Sequence, residues 1–226
     1  MNILIVSATP FEIAPFRQFI QQEFEDHGQE VFAYNDLNIH FLVTGVGLPL
    51  TAYHLGRALL RTPFNLVINA GIAGAFHKEL KIGDVVQVIN DRFGDLGVQE
   101  QDGRFVDVHE LDLIGTDAFP FESGQLLNKD AASFSFLPQV SAISVNKVHG
   151  EASAITAIRQ KYQAAIETME GAAVAYVCLS ENIPFLQIRS ISNYVEPRNK
   201  DNWDIPLAIK QLNDTLVQIV ESLKPE

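Results

Sequence analysis

Apolar residues in this chain fall into two kinds of run. Short blocks rich in β-branched residues predict buried strands: "ILIVSA" (3–8), "IHFLVTGVG" (39–47), "NLVINAG" (65–71), "DVVQVIN" (84–90) and "PFLQIRSIS" (184–192). Between them, apolar positions recur every three or four residues. "PFEIAPFRQFIQQEFEDHG" places Ile13, Phe16, Phe19, Ile20 and Phe24 on one face and stops at Gly28, which predicts a helix. Segments 49–61, 169–182 and 206–223 predict further helices in the same way. Strands apolar on both faces, alternating with helices, imply a layered α/β fold with helices on both sides of a central sheet. No repeat or linker divides residues 1–226, so one domain is expected. The least regular stretch is 91–145, rich in Gly, Asp and Phe, with "AISV" (142–145) as a strand-like piece. It reads equally as a substrate-facing excursion or as surface loops.

Composition narrows the possibilities. A chain of 226 residues, 47% hydrophobic and 19% charged, can bury a substantial core. A formal net charge of −12 argues against a nucleic-acid surface and against binding to anionic membranes. The single cysteine, Cys178, lies in an apolar stretch and excludes a disulfide framework, so a reducing, cytoplasmic setting is expected. "MNILIVSATP" lacks the basic start of an export signal and reads as a core strand. No apolar stretch approaches the roughly 18–20 residues of a membrane span.

Ligands of open α/β sheets gather at the carboxyl ends of the strands. The residues just beyond each predicted strand are therefore candidates for a site. Glu12 comes after the first, "TGVG" after the second and "AGIAGAF" after the third, with Ser192 and Asn193 after the last. "ETME", ahead of the helix at 169–182, adds Glu167 and Glu170. Taken singly, these residues leave alternatives open. Glu12 also suits a helix start as a charge against the macrodipole. Gly45, Gly47, Gly71 and Gly74 also suit tight turns, and they complete neither a dinucleotide fingerprint nor a P-loop. Glu170 enters a nearly continuous apolar segment, where an unpaired carboxylate is costly, so a ligand hydroxyl or a helix-terminal N–H must meet it. Asn193 is either a turn residue or an amide aimed at a ligand. The histidines (His27, His40, His54, His77, His109, His149) have no metal-binding spacing, and no G-x-S-x-G elbow is present. No metal and no cofactor is implied. The chemistry rests on carboxylates, amides and backbone groups.

These segments together resemble the nucleoside phosphorylase and nucleosidase superfamily, in particular its methylthioadenosine/S-adenosylhomocysteine nucleosidase branch. "ILIVSATPFEIAPF", "TGVGLPLTAYHLG", "VINAGIAGAF", "LKIGDVVQV", "ETMEGAAVAYVCLSENIPF" and "IRSISNYV" are similar to its successive motifs, over nearly the whole chain and most weakly across 95–145. The resemblance implies a three-layer α/β/α fold around a central mixed sheet. It implies that Glu12 activates an attacking water and that Met169 and Glu170 hold the ribose. It further implies substrate contacts at Ala73, Gly74, Val148 and Ser192. A purine nucleoside substrate and a homodimer, in which a neighbouring subunit closes the 5′ pocket, are implied as well.

The resemblance also sharpens the reading of Asn193. Adenine-specific members carry an aspartic acid there, which protonates N7 of the leaving base. An asparagine cannot act as an acid, but its NH₂ group donates hydrogen bonds to N7 or O6. A 6-oxopurine is therefore the expected base. Phosphorylases of the superfamily hold phosphate with arginines near the glycine loops. Those loops contain none here, and Arg57 and Arg61 lie further along a helix, so water is the expected nucleophile. An adenine-type nucleosidase, an inosine-type phosphorylase, a nucleoside-binding protein without turnover and a flavodoxin-like cofactor binder are the competing readings.

Overall fold

The computed structural model describes residues 1–129 and 136–224. The chain opens on β1 (Asn2–Ser7), a 3-10 turn (Pro10–Ile13) and α1 (Ala14–Glu23). A hairpin of β2 (Glu25–Asp26) and β3 (Val31–Tyr34) leads to β4 (Leu37–Val43), α2 (Leu48–Leu59) and the long β5 (Leu66–Ala75). After β6 (Val85–Asp91) comes an excursion with the hairpin β7 (Gly97–Gln99) and β8 (Phe105–Asp107), then β9 (Leu126–Leu127). The remainder runs β10 (Gln139–Ser144), α3 (Ala152–Tyr162), β11 (Ile166–Thr168), α4 (Gly171–Ser180), β12 (Phe185–Tyr194) and α5 (Ile205–Leu223).

Alternation along β1 explains the layers. Ile3 and Ile5 pack with Phe16 and Ile20 of α1 and Leu212 and Leu216 of α5. Leu4 and Val6 face the other way, onto Leu55 of α2 and Ala172, Val174 and Cys178 of α4. Fully burying one such aliphatic side chain contributes about 1.5–3 kcal/mol, which is why both faces of the strand are apolar. The three layers and the mixed sheet expected from the sequence are present. Strand order is β11-β10-β6-β12-β5-β1-β4-β3-β2, with β1 parallel to β4 and β5, and β12 antiparallel to β6. In addition β11 pairs antiparallel with the far end of β5, closing β5, β12, β6, β10 and β11 into a ring.

Three differences from the sequence reading have local causes. The first helix does not run to Gly28: it ends at Glu23, where Phe24 turns extended to bury its ring, and Glu25–Asp26 join the sheet edge. The strand expected to end at Gly71 continues as β5 to Ala75, because its small residues let one strand serve β1 at its start and β11 at its end. The strand expected over 39–47 stops at Val43; Thr44–Gly47 form a turn in which Gly45 (φ 83°) and Gly47 (φ 101°) occupy conformations that favour glycine. The irregular stretch 91–145 carries β7, β8 and β9, and its residues 130–135 lie outside the described part. Among the described residues, no helix is long and apolar enough to cross a membrane.

Candidate active site

Glu12 sits on the 3-10 turn after β1, and its carboxylate is held from several sides. Oε2 accepts from Thr9 N (3.0 Å), Thr9 Oγ1 (2.9 Å) and Ser7 Oγ (3.2 Å). Oε1 accepts from Ile72 N of β5 at 3.2 Å. Gly71 permits that approach: a Cβ there would lie 3.0 Å from Oε1. The bond back to Thr9 N is the reciprocal arm of a capping box, so a single local motif fixes the turn and the carboxylate together. It orients a buried carboxylate at the carboxyl end of the sheet.

Glu170 is not inside the helix of its sequence segment. It is the N-cap of α4, preceded by half-buried Met169. Its Oε1 accepts from Gly47 N at 3.0 Å, across 123 residues of sequence. The partner that the apolar surroundings demanded is thus a backbone N–H from the second glycine turn. Burial raises the Glu170 carboxyl above its usual range, against the lowering pull of Arg189 and the Gly47 N–H.

Arg189 of β12, which the sequence reading did not single out, is the largest fully buried side chain. Its Nη1 donates to Asn69 O (3.1 Å), Asn69 Oδ1 (3.2 Å) and Ile188 O (2.9 Å). Burial pulls the guanidinium below its usual range, while the charges of Glu170, Glu12 and Asp91 pull it back up. One cation therefore lies within electrostatic reach of three carboxylates, without a direct ion pair to any of them among the described residues. A lone arginine inside "FLQIRSIS" was the available signal, because an unpaired charge does not survive in a central strand.

Asp91, also missed, lies at the end of β6 and is buried. Its carboxylate accepts from Gln187 Nε2 (2.9 Å), Ser144 Oγ (3.0 Å) and Arg92 N (2.8 Å). Ser144 Oγ in turn accepts from Ala172 N of α4 at 2.8 Å and contacts Thr168 Oγ1 at 2.7 Å. The first turn of α4 is thus anchored through Ser144 onto a buried carboxylate, directly behind Glu170. Gly171 is required there: a Cβ would meet Gln187 Nε2 at 2.1 Å and Asp91 Oδ2 at 2.3 Å. Burial pushes the Asp91 carboxyl up to about 6 in spite of those donors.

Asn193 is part of β12 rather than of the loop beyond it. The pairing of β12 with β5 shifts between Ile191 and Asn193, a β-bulge that leaves Ser192 as the extra residue. Bulges re-aim side chains beside active sites. Asn193 pairs with Gly74, and a Cβ on Gly74 would lie 3.2 Å from Asn193 Nδ2. Ser192 Oγ lies 2.8 Å from Asn193 Oδ1 and 3.2 Å from Ala73 O, while Asn193 Nδ2 donates to Tyr194 O at 3.0 Å. The serine orients the amide, and one Nδ2 hydrogen stays free. Ala73, Gly74, Ser192 and Asn193 form one cluster. Val148 is 40% exposed, on the loop after β10. That loop touches the glycine turn through Asn146, whose Oδ1 accepts from Leu48 N at 3.2 Å. Cys178 is core, as its surroundings indicated, and burial raises its thiol. Arg57 donates to Tyr53 Oη on the exposed face of α2, which is not a position for binding an anion at this site.

The mixed sheet thus carries a carboxylate after its first strand, a second at the start of α4 and an amide on its last strand. The phosphorylase superfamily model matches residues 2–223, and the chain belongs to that superfamily. Futalosine hydrolase of Streptomyces coelicolor is 29% identical to it, over all of this chain and 99% of its own. Futalosine hydrolase of Acidothermus cellulolyticus is 32% identical over 174 residues, 76% of this chain and 70% of that one. Among solved structures, 5′-methylthioadenosine/S-adenosylhomocysteine nucleosidase of Neisseria meningitidis in complex with methylthio-immucillin-A is similar at a TM-score of 0.77 and 20% identity. That match covers 98% of this chain and 99% of the other. At that identity it shows the fold alone.

Proposed function

We propose that this protein hydrolyses the N-glycosidic bond of futalosine, releasing hypoxanthine and leaving dehypoxanthine futalosine, a step of the alternative menaquinone pathway. The observation that carries the reading is the setting of Arg189. The guanidinium lies among Glu12, Glu170 and Asp91 and spends its Nη1 on Asn69 and Ile188. Such a site repels a phosphate dianion and favours a cationic sugar. Cleavage of an N-glycosidic bond passes through an oxocarbenium-like ribose, which fixed negative charge stabilises. Glu12 takes a proton from the attacking water. Glu170 has Oε2 available for the ribose hydroxyls, whose O–H groups donate to it, and Met169 packs beneath the sugar. Asn193 donates from Nδ2 to the 6-oxopurine edge, where adenine keeps N7 but presents an amino group in place of the O6 acceptor. That amide favours a 6-oxopurine over the adenine-type reading.

The reading extends to the rest of the substrate. Arg198 lies over the Trp203 ring at 5.4 Å, on the segment after β12. This stack offers the cation and the apolar wall that a carboxylated aryl 5′ group would need. Val46 and Leu50, each about half exposed, flank the glycine turn that meets Glu170, and exposed Tyr53 extends this apolar face along α2. They suit a second copy closing the 5′ pocket, so a homodimer belongs to the proposal. The single buried Cys178 supports a cytoplasmic setting. The test offers futalosine, inosine and methylthioadenosine in phosphate-free buffer and identifies the released base by chromatography. Hypoxanthine from futalosine supports the reading; adenine from methylthioadenosine alone overturns the substrate assignment.

A further inference from the structure

An amide at position 193 leaves the departing purine without a proton donor, because Asn193 hydrogen-bonds but does not ionise. The sheet places Glu167, and His149 bound to it, beside Asn193. Glu167 of β11 pairs with Gly74 of β5, the same glycine that Asn193 of β12 pairs with from the other side. Partners in a sheet send side chains to the same face. Asn193 and Glu167 therefore flank one glycine, at which a Cβ would already meet Val195 Cγ2 at 2.9 Å and Asn193 Nδ2 at 3.2 Å. Glu167 is buried, and its carboxylate is taken up by His149: Oε1 accepts from His149 N at 3.1 Å and Oε2 meets the ring Nδ1.

Residue 149 lies on the loop that begins at Val145 beside Thr168 and touches the glycine turn through Asn146, so this loop runs from the Glu170 end of the site to the Asn193 end. With Nδ1 committed to a carboxylate, the ring orientation is fixed and Nε2 is the nitrogen left to face a ligand. Among the described residues, Nε2 has no partner within the chain.

We propose that His149, oriented by Glu167, is the proton donor to the leaving purine, with Asn193 holding O6. The inference rests on the nucleosidase reading above. In the step, the water oxygen bonds to C1′ as its proton passes to Glu12. The C1′–N9 bond breaks and its electron pair flows into the imidazole ring of the base. His149 Nε2–H delivers its proton to N7, so hypoxanthine leaves neutral. Glu12 then returns its proton to solvent and His149 takes one up, and the sum is nucleoside plus water giving free sugar plus base. The Glu167 carboxylate balances the charge of the doubly protonated ring, the part a buried carboxylate plays behind a catalytic histidine. Glu167 of β11 is the charged group that meets the ring; Lys147 and Glu151 are its charged neighbours along the loop, and Arg198 lies on the segment after β12. The position of a Cβ on Gly150 would be 3.6 Å from Arg198 Cβ, whereas Glu151 is committed to Ser153 N and Ala154 N at the start of α3.

The experiment compares H149Q and E167Q with the unmodified protein on two substrates. One is futalosine, and the other is its N7-methylated derivative, whose base carries a positive charge and departs without a proton. Donation by a positioned acid is worth about 10²–10⁴-fold. H149Q is expected to lose about 100-fold or more in kcat on futalosine and to remain within about fivefold on the methylated substrate. E167Q is expected to show the same selectivity with a smaller loss, together with a displaced acid-base profile of kcat/KM. Equal losses on both substrates, or none on either, overturn the role of His149 while leaving the nucleosidase reading intact. If the unmodified protein turns over neither substrate, the nucleosidase reading itself fails, and this inference with it.

Discussion

Asn213 of α5 donates from Nδ2 to the backbone carbonyl of Glu12 at 2.8 Å. The same side chain accepts from Phe16 N at 2.8 Å and donates to Ile209 O at 2.6 Å. A buried amide in the last helix thus clamps the turn that presents the first carboxylate. Replacing it with alanine strands three buried backbone groups or forces them to move. N213A is expected to lose about 3 kcal/mol of stability, read from the denaturant midpoint. Its kcat is expected to fall roughly tenfold or more, because the turn presenting Glu12 is no longer held in place.

Glu12 has a simpler test. E12Q keeps the shape and an acceptor but removes the carboxylate proposed as the base. The expected result is a fall in kcat of about 10²–10⁴-fold, with product affinity nearly unchanged by calorimetry. A near-normal rate would contradict its role.

Base choice is assigned to Asn193. N193D puts a titratable oxygen where an N–H donor stood. Activity is expected to move toward 6-aminopurine nucleosides, measured as the ratio of kcat/KM values for methylthioadenosine and futalosine. An unchanged ratio would mean that base choice lies elsewhere in the pocket.

Asp91 makes stability depend on pH. Its ordinary value of 3.8 is raised to about 6 in the folded protein, chiefly by burial. Below about pH 4 the folded and unfolded chains both hold this proton, and the residue carries no penalty. Between about pH 4 and 6 the unfolded chain releases this proton while the folded protein keeps it, and roughly 3 kcal/mol of stability is lost by the time the pH has risen through about 6. D91N removes that penalty, so its stability relative to the unmodified protein is expected to improve between pH 4 and about 6 and to stay level above that, checked by urea unfolding from pH 4 to 8. A difference that stays flat with pH would contradict the raised value.

Gly171 tests the same cluster sterically. The methyl group in G171A would overlap Gln187 Nε2 and Asp91 Oδ2, and overpacking of this kind costs about 1–3 kcal/mol. Trimming the neighbour in G171A/Q187A is expected to recover part of the thermal midpoint that G171A loses.

How much of this was legible in sequence depended on how locally each feature is encoded. Glu12 could be read because a strand, a turn and a capping box succeed one another within a dozen residues. Layering could be read because Ile3 and Ile5 alternate with Leu4 and Val6 and all four are apolar. In contrast, α3 was not read: only Ile155 and Ile158 of it are buried, too few to mark a periodic face. The continuation of β5 through "GIAGA" was hidden because glycine and alanine weaken a strand locally, and the support comes from β12 and β11 far along the chain. The Asp91–Gln187 contact joins residues 96 apart, and no local pattern announces it. Residues of the candidate site were found by position after strands; the polar groups that hold them came from partners distant in sequence.

The measurement that tests the central claim most directly is turnover of futalosine in ¹⁸O-labelled water containing phosphate, with mass analysis of both products. The expected result is hypoxanthine together with dehypoxanthine futalosine carrying the label at C1′, at a rate that phosphate does not raise. A phosphorylated sugar product, or release of no base, would contradict it.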